Sequence, residues 1–250
     1  MRLEELTGHH VAFAPLLDAA QTIDHSVKIE NTRASRKRGL PSFLDLKQDH
    51  KRLALASGGG SIRRFLEELR GFDRVMACGS VHDYLIEQDI VPEYCVILDS
   101  GNAGLVRPYH GVKYLVAASC DAAVFDSLPR GRTWLWHSFG DVPADELNGE
   151  PAVGGGCTVT LRALAIAVII GYSDLHFFGL DSCYMDGAEH AYPHGEGRPT
   201  PFVVDYNGRK FTVNAPLLKQ AQEFRAICQD HRDEFTPTVY GDGLVAAMRP

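Results

Sequence analysis

Leu53-Ala-Leu-Ala-Ser-Gly-Gly-Gly-Ser-Ile62 decides the fold. Four apolar residues bounded downstream by glycines make a buried strand, the three glycines make a tight turn, and Ser61 opens an amphipathic stretch. Ile62, Phe65, Leu66 and Leu69 then share one face while Arg63, Arg64, Glu67 and Glu68 share the other, so a helix is expected over Ser61–Leu69, stopped by Gly71. Strand, glycine turn and helix in this order form the opening half of a β-α unit.

The pattern repeats outward from this point. Short apolar runs at Val75–Cys78, Cys95–Leu98, Tyr114–Ala117, Thr133–Trp136 and Leu175–Phe178 read as further strands, and the segments between them as helices. The fold class expected is α/β: a Rossmann-like, mainly parallel sheet flanked by helices. Val81–Gln88 is a second short helix, and Thr158–Ile170, apolar nearly all round and closed by Gly171, is a buried central one. Phe202–Asp205 and Lys210–Val213 flank Asn207-Gly208, the signature of a small hairpin, and residues 216–232 form an amphipathic C-terminal helix. Residues 1–50 read as an N-terminal helical extension, helical around Val11–Ile23 and less regular after it, leaving 51–250 as the nucleotide-binding domain. The Gly- and Pro-rich stretches Gly140–Gly156 and 181–201 are candidate lids.

Composition narrows the function classes. A net charge of −7 opposes nucleic acid as the main partner, because tracking its backbone needs surplus Lys and Arg. The basic residues Arg33, Arg36, Lys37, Arg38, Lys47, Lys51 and Arg52 form one local cluster, a pattern that usually marks a solvated face. The apolar run Leu161–Ile170 is interrupted by Arg162 and is too short for a membrane span. MRLEELTGHH carries neither the basic nor the apolar region of a secretory signal, so a cytoplasmic protein with no membrane span is expected. Six scattered cysteines without a C-x-x-C pair read as reduced, buried thiols.

Ser57, Gly58, Gly59, Gly60 and Ser61 have the outline of an anion site: glycines admit a phosphate to the backbone, and a helix N-terminus presents N–H groups to it. A tight turn capped by serine would use the same residues. Val153-Gly-Gly-Gly-Cys-Thr158 repeats the arrangement, adding Gly154, Gly155, Gly156 and Thr158. Two such turns at the carboxyl edge of one sheet would face a common crevice. Asp99 and Asp181, each just past a strand, suit Mg²⁺ or a ribose hydroxyl, or else cap a turn. His190 is a candidate general base beside Tyr184 and Tyr192. His190, His194 and Cys183 also raise the question of a transition-metal site, against which Pro193 argues by breaking the helix such spacing needs.

At these residues the sequence resembles the MptE-like family, named for an archaeal 6-hydroxymethylpterin diphosphokinase. Its G-x-G-P-S-L turn resembles Ser57-Gly-Gly-Gly-Ser-Ile62, and its "G-I-x-P-D-Y-V-V-x-L-D" phrase resembles Asp89-Ile-Val-Pro-Glu-Tyr-Cys-Val-Ile-Leu-Asp99. The second glycine turn and apolar helix resemble Gly154 to Gly171, and a "G-x-D" with "H-A-Y" resembles Gly179-Leu-Asp181 and His190-Ala-Tyr192. Ser57 replaces the family's first glycine, Gly60 its proline, and Cys78, before Gly79, an asparagine. The domain type is shared with flagellin-modifying glycosyltransferases and is similar in fold to sialyltransferases that use CMP-sugars. The resemblance implies a nucleotide at both glycine turns, Gly79 included, and a small-molecule acceptor. Its leading implication is pyrophosphate transfer from ATP to a hydroxymethyl group, with Mg²⁺ on Asp99 and Asp181 and His190 as base. The alternatives are a CMP-sugar glycosyltransferase and a non-catalytic nucleotide-binding module.

Overall fold

The computed structural model describes residues 24–46, 51–99, 106–147, 149–193 and 199–248. Helix α1 (His25–Arg36) precedes strand β1 (Arg52–Ala56), helix α2 (Leu66–Arg70), β2 (Val75–Cys78), α3 (Val81–Glu87), β3 (Tyr94–Ile97) and β4 (Lys113–Ala117). Then follow α4 (Ala122–Ser127), β5 (Thr133–Ser138), β6 (Ala152–Val153), α5 (Val159–Ile170) and β7 (Asp174–Phe178). The hairpin β8 (Phe202–Tyr206) and β9 (Arg209–Val213), helix α6 (Ala215–Asp230), β10 (Thr236–Tyr240) and α7 (Leu244–Ala247) complete the order.

Eight strands make one parallel sheet in the order β10-β7-β1-β2-β3-β4-β5-β6, and β8-β9 stand apart as an antiparallel pair. The chain winds outward from β1 to β6, returns along α5, and places β7 on the other side of β1. The strand order therefore reverses between β1 and β7, which is where an open α/β sheet leaves a crevice at its carboxyl edge. Helix α5 is the return crossover, and ten of its twelve residues are buried. Arg162 stays buried within it because its guanidinium donates to the carbonyls of Val153 at 2.6 Å and Phe139 at 3.3 Å, tying α5 to the ends of β5 and β6. Gly171 closes α5 in the left-handed conformation at φ 117°, open to glycine at little cost.

Asn207 and Gly208, at φ 53° and 77°, make the hairpin turn as the sequence indicates. Four features differ from the sequence reading. The helix expected over Ser61–Leu69 is a 3-10 turn, Gly60–Phe65, followed by a short α2, because Phe65 at φ −123° breaks the regular geometry between them. Of the residues after Ile23, His25–Arg36 form a regular helix: α1 is capped by Asp24 and docks through Ser35 and Asn31 on the carbonyls of Ala118 and Ser119. The stretch Gly140–Gly156 contains a 3-10 turn, Ala144–Leu147, and the two-residue β6. Strand β10 carries Pro237, which an edge position tolerates because its missing N–H can face outward. The helix expected around Val11–Ile23 lies outside the described residues.

The basic cluster is engaged in pairs. Arg33 bonds the Glu146 carboxylate, Arg36 the Glu146 carbonyl at 2.9 Å, Arg38 Asp126 at 2.7 Å, and Arg52 stacks on Phe72. Among the described residues no helix is long and apolar enough to cross a membrane. The six cysteines are free thiols, five of them buried.

Arg162→Ala should cost about 2–4 kcal/mol, since it opens a cavity and strips buried carbonyls of their donor. Urea unfolding followed by circular dichroism measures the loss.

Candidate functional site

Parallel register brings the ends of β1 and β7 side by side, with Ala56 opposite Phe178. The pairing continues past the strands. Ser57 N–H donates to the Phe178 carbonyl at 2.8 Å, Gly59 N–H to the Gly179 carbonyl at 2.9 Å, and Ser61 N–H to Asp181 Oδ2 at 2.9 Å. The first glycine turn is thus zipped to the residues after β7, and the carboxylate at its helical start is the protein's own. A Cβ at Gly59 would fall on the Gly179 carbonyl and lie 2.5 Å from Asp181 Oδ2, so glycine is demanded there by close approach. Asp181 is 3% exposed and closed in from the far side by Gly241 and Gly243, which follow β10. Burial raises its pKa, partly offset by the hydrogen bonds from Ser61.

The second glycine turn is filled in the same way. Cys157 N–H donates to Glu223 Oε2 at 2.7 Å, and Gly156 packs on that carboxylate and on Leu161. Gly155, at φ 116°, lies against the Leu161 carbonyl and Ala165. Gly154, Gly155 and Gly156 do not line the cleft; Gly155 and Gly156 let the turn pack closely on the first turns of α5.

One cleft of about 190 Å³ lies over the switch point. Ser57, Gly58, Gly59, Gly79 and Thr158 line it, and so do Asp99, Asp181, His190 and Tyr192. Gly60 packs against Met185, Ser61 is turned to Asp181 and Gly241, and Tyr184 faces the hairpin, its N–H donating to the Thr212 carbonyl and its hydroxyl accepting from Asn214. These three stand outside the cleft. The second turn therefore meets the first through Thr158 and Thr160, not through its glycines: Ser57 Oγ and Thr160 Oγ1 are 2.9 Å apart.

The segment carrying His190 is docked against the first turn. Ala191 N–H donates to the Gly58 carbonyl at 2.8 Å, and Arg63 Nε donates to the Ala191 carbonyl at 2.8 Å. Tyr192 bonds Ser80 at 2.9 Å and stacks on Tyr84. The rings of His190 and Tyr192 meet edge to face, with Gly58 beneath both. Residues 181–193 thus form a wall of the cleft. His194 lies outside the described residues, and among the described residues no group of three or more His, Cys, Asp and Glu side chains is arranged to hold a metal.

Sequence reasoning missed Ser80, Thr160 and Gln220, which also line the cleft, as does Glu189 of the loop after Asp181. Ser80 and Thr160 adjoin Gly79 and Thr158 and were open to being found on that ground. Gln220 reads only as a polar position on an amphipathic helix. Cys78 and Cys183 line the cleft too, but burial pushes their thiols up to about 12 and about 11, so both are protonated at neutral pH. Among the described residues the charged lining is acidic, with Asp99, Asp181 and Glu189 and no Lys or Arg.

The fold and this crevice define a doubly wound α/β protein with a ligand site at its topological switch point. The chain belongs to the 6-hydroxymethylpterin diphosphokinase MptE-like family, whose model matches residues 28–187. It is similar to a Maf glycosyltransferase from Magnetospirillum magneticum AMB-1, at 19% identity and a TM-score of 0.68, over 88% of this chain and 37% of that one. The chain thus spans little more than a third of that protein. A mammalian sialyltransferase in complex with Gal-beta-1-3GalNAc-ortho-nitrophenol matches at 7% identity and a TM-score of 0.46, over 92% of this chain and 90% of that one. A monofunctional alpha-2,3-sialyltransferase from Campylobacter jejuni matches at 10% identity and a TM-score of 0.42, over 82% and 81%. No curated protein sequence matches the chain at a significant level.

Two substitutions test the zipped corner. Gly59→Ala should destabilise the protein by about 2–4 kcal/mol, because its neighbour is backbone that cannot move aside. Gly131→Ala, whose Cβ meets nothing within 4 Å, should stay within about 0.5 kcal/mol of wild type by the same unfolding measurement. Asp181→Asn keeps an oxygen for Ser61 N–H but removes the buried charge. Since the folded pKa of Asp181 lies above its unfolded value, wild type should lose stability as pH rises through that raised pKa. The variant should lack this loss and be the more stable protein above it, as read from paired denaturation curves across pH.

Proposed function

We propose that the chain is a nucleotide-dependent transferase of the diphosphokinase type, with ATP as donor and a small hydroxymethyl compound as acceptor. The observation that carries this reading is the single cleft in which Ser57–Gly59 and Thr158 face Asp99 and His190. Membership of a family described by 6-hydroxymethylpterin diphosphokinase supports the reaction type. In that reaction the acceptor oxygen attacks the β-phosphorus of ATP. The bond from that phosphorus to the α,β-bridging oxygen breaks, AMP leaves, and His190 takes the hydroxyl proton.

A lining that among the described residues is acidic, with no Lys or Arg, suits a donor whose phosphates arrive with a divalent cation. Carboxylate oxygens at the cleft, together with substrate phosphates, are a donor set that fits Mg²⁺. Asp99 would hold the ion, with Asp181 beside it in the lining. When bound, Mg²⁺ supplies neutralisation of phosphate charge. The chain's own part is to position the donor over the first glycine turn, exclude water with the wall of residues 181–193, and accept a proton at His190.

A second reading, transfer of an acidic sugar from a CMP-sugar, is favoured by one observation: Asp181 Oδ2 is already bonded to Ser61 N–H, which weakens the case for a two-carboxylate metal site. His190 would then be the base toward the acceptor hydroxyl, and Tyr192 would donate to the leaving phosphate.

One assay separates the two. With ATP, Mg²⁺ and 6-hydroxymethylpterin, phosphorus NMR should show AMP and a pyrophosphorylated product, and chelation should abolish both. His190→Gln should lower turnover by about 10²-fold or more, as loss of a general base does. CMP release from a CMP-sugar that persists in chelator, with no AMP formed from ATP, would transfer the assignment to the second reading.

A further inference from the structure

Thr158 is the N-cap residue of α5, yet its side chain makes no capping hydrogen bond. The hydroxyl turns away from its own helix and accepts from Gln220 Nε2 at 2.8 Å. Gln220 comes from α6, more than sixty positions along the chain, and is 8% exposed. Its other amide atom, Oε1, accepts from Ser182 Oγ at 2.8 Å. Ser182 is held for this contact at φ 51°, a left-handed conformation that a residue other than glycine adopts only when its surroundings enforce it. Ser182, Gln220 and Thr158 all line the cleft.

A side-chain amide has two unlike ends, so this chain of bonds has a direction. Ser182 gives its proton to the carbonyl end, and the amino end gives one to Thr158. With a lone pair of Thr158 engaged, its own O–H proton has no acceptor among the described residues, and Thr158 lines the cleft. We infer that Gln220 is a positioning residue that sets the polarity of the site: it makes Thr158 a hydrogen-bond donor to the ligand, so the ligand group over the start of α5 is an oxygen acceptor, such as a non-bridging phosphate oxygen. This inference rests on the nucleotide reading for its ligand but not for its geometry. The second glycine turn then contributes to recognition through one oriented hydroxyl, its Cys157 amide being held by Glu223.

Calorimetric titration with adenosine, AMP and ADP, with Mg²⁺, tests it on wild type, Gln220→Leu, Thr158→Val and the double variant, with Gln220→Met standing in should leucine disturb helix packing. Loss of one hydrogen bond to phosphate should weaken AMP and ADP by about tenfold in each single variant, leave adenosine unchanged, and cost the double variant no more than either single one. Equal weakening of adenosine and AMP, additive losses, or no loss at all would overturn the inference. Should wild type bind none of the three, the nucleotide reading fails, and Gln220 is judged by NMR alone. A protected Nε2 amide resonance that moves in Thr158→Val and in Ser182→Ala would uphold the polarity, and a freely exchanging one would refute it.

Discussion

The structure depends on the parallel pairing of β1 with β7 continuing beyond both strands. Three backbone N–H groups, from Ser57, Gly59 and Ser61, find acceptors in Phe178, Gly179 and Asp181 in turn. Each step is closer than side chains allow, which is why glycine stands at 59 and 179 and why Asp181 must enter with its carboxylate first. Once the two loops are joined, the floor of the crevice is fixed. The segment with His190 and Tyr192 is then hung from that floor by Ala191 and Arg63. A change in the register of β7 would move the aspartate, the histidine wall and the C-terminal glycines that cover Asp181 together.

Filling both helix starts from within alters what the cleft asks of a ligand. A glycine-rich turn with open amides can bind phosphate by backbone alone, and the positive end of a helix adds to the attraction. Here Asp181 and Glu223 bond amides at those starts, so the fixed dipoles are partly matched before any ligand arrives. Buried carboxylates need partners far more than surface ones do, and a cluster of backbone donors is among the few that leaves no further charge to bury. The hydroxyls of Ser57, Ser80, Thr158 and Thr160 line the cleft and are each held in place by a hydrogen bond. Hydroxyl donors discriminate by geometry more than by charge, which fits a cleft whose charged lining is acidic.

Much of this was legible in the sequence because it follows local rules. The strands at Val75–Cys78 and Leu175–Phe178, the nearly all-apolar α5 and the Asn207-Gly208 turn each carry their signal within a few residues. Strand β10 was not legible: Pro237 argues against a strand, and only its edge position beside β7 removes the objection. Helix α1 has a weak apolar stripe and is held mainly by polar bonds to Ala118, Ser119 and Glu146, all distant in sequence. At the site, the strand-end residues Asp99 and Asp181 and the wall residues His190 and Tyr192 follow from the rule that open sheets present ligands at their carboxyl edge. That Gly155 and Gly156 serve packing while Thr158 lines the cleft could not be read locally, since it depends on Glu223 and Gln220 arriving from α6.

The same crevice geometry serves more than one reaction, and the difference lies in where charge grows. Pyrophosphate transfer leaves its developing charge spread over phosphate oxygens, so the reacting end of the cleft must supply a cation or several donors there. Sugar transfer breaks a carbon–oxygen bond, and the charge to be stabilised falls on one leaving phosphate, for which a single phenol or hydroxyl suffices. Asp99 and Tyr192 are the groups on which these demands diverge, one suited to hold a cation and the other to donate a proton. Tyr192 lies 2.9 Å from the Ser80 hydroxyl, a bond in which either hydroxyl can be the donor, and its ring stacks on Tyr84, so its place in the His190 wall is fixed. Asp99 lies two residues beyond β3 and lines the same cleft, whose lining among the described residues holds no Lys or Arg.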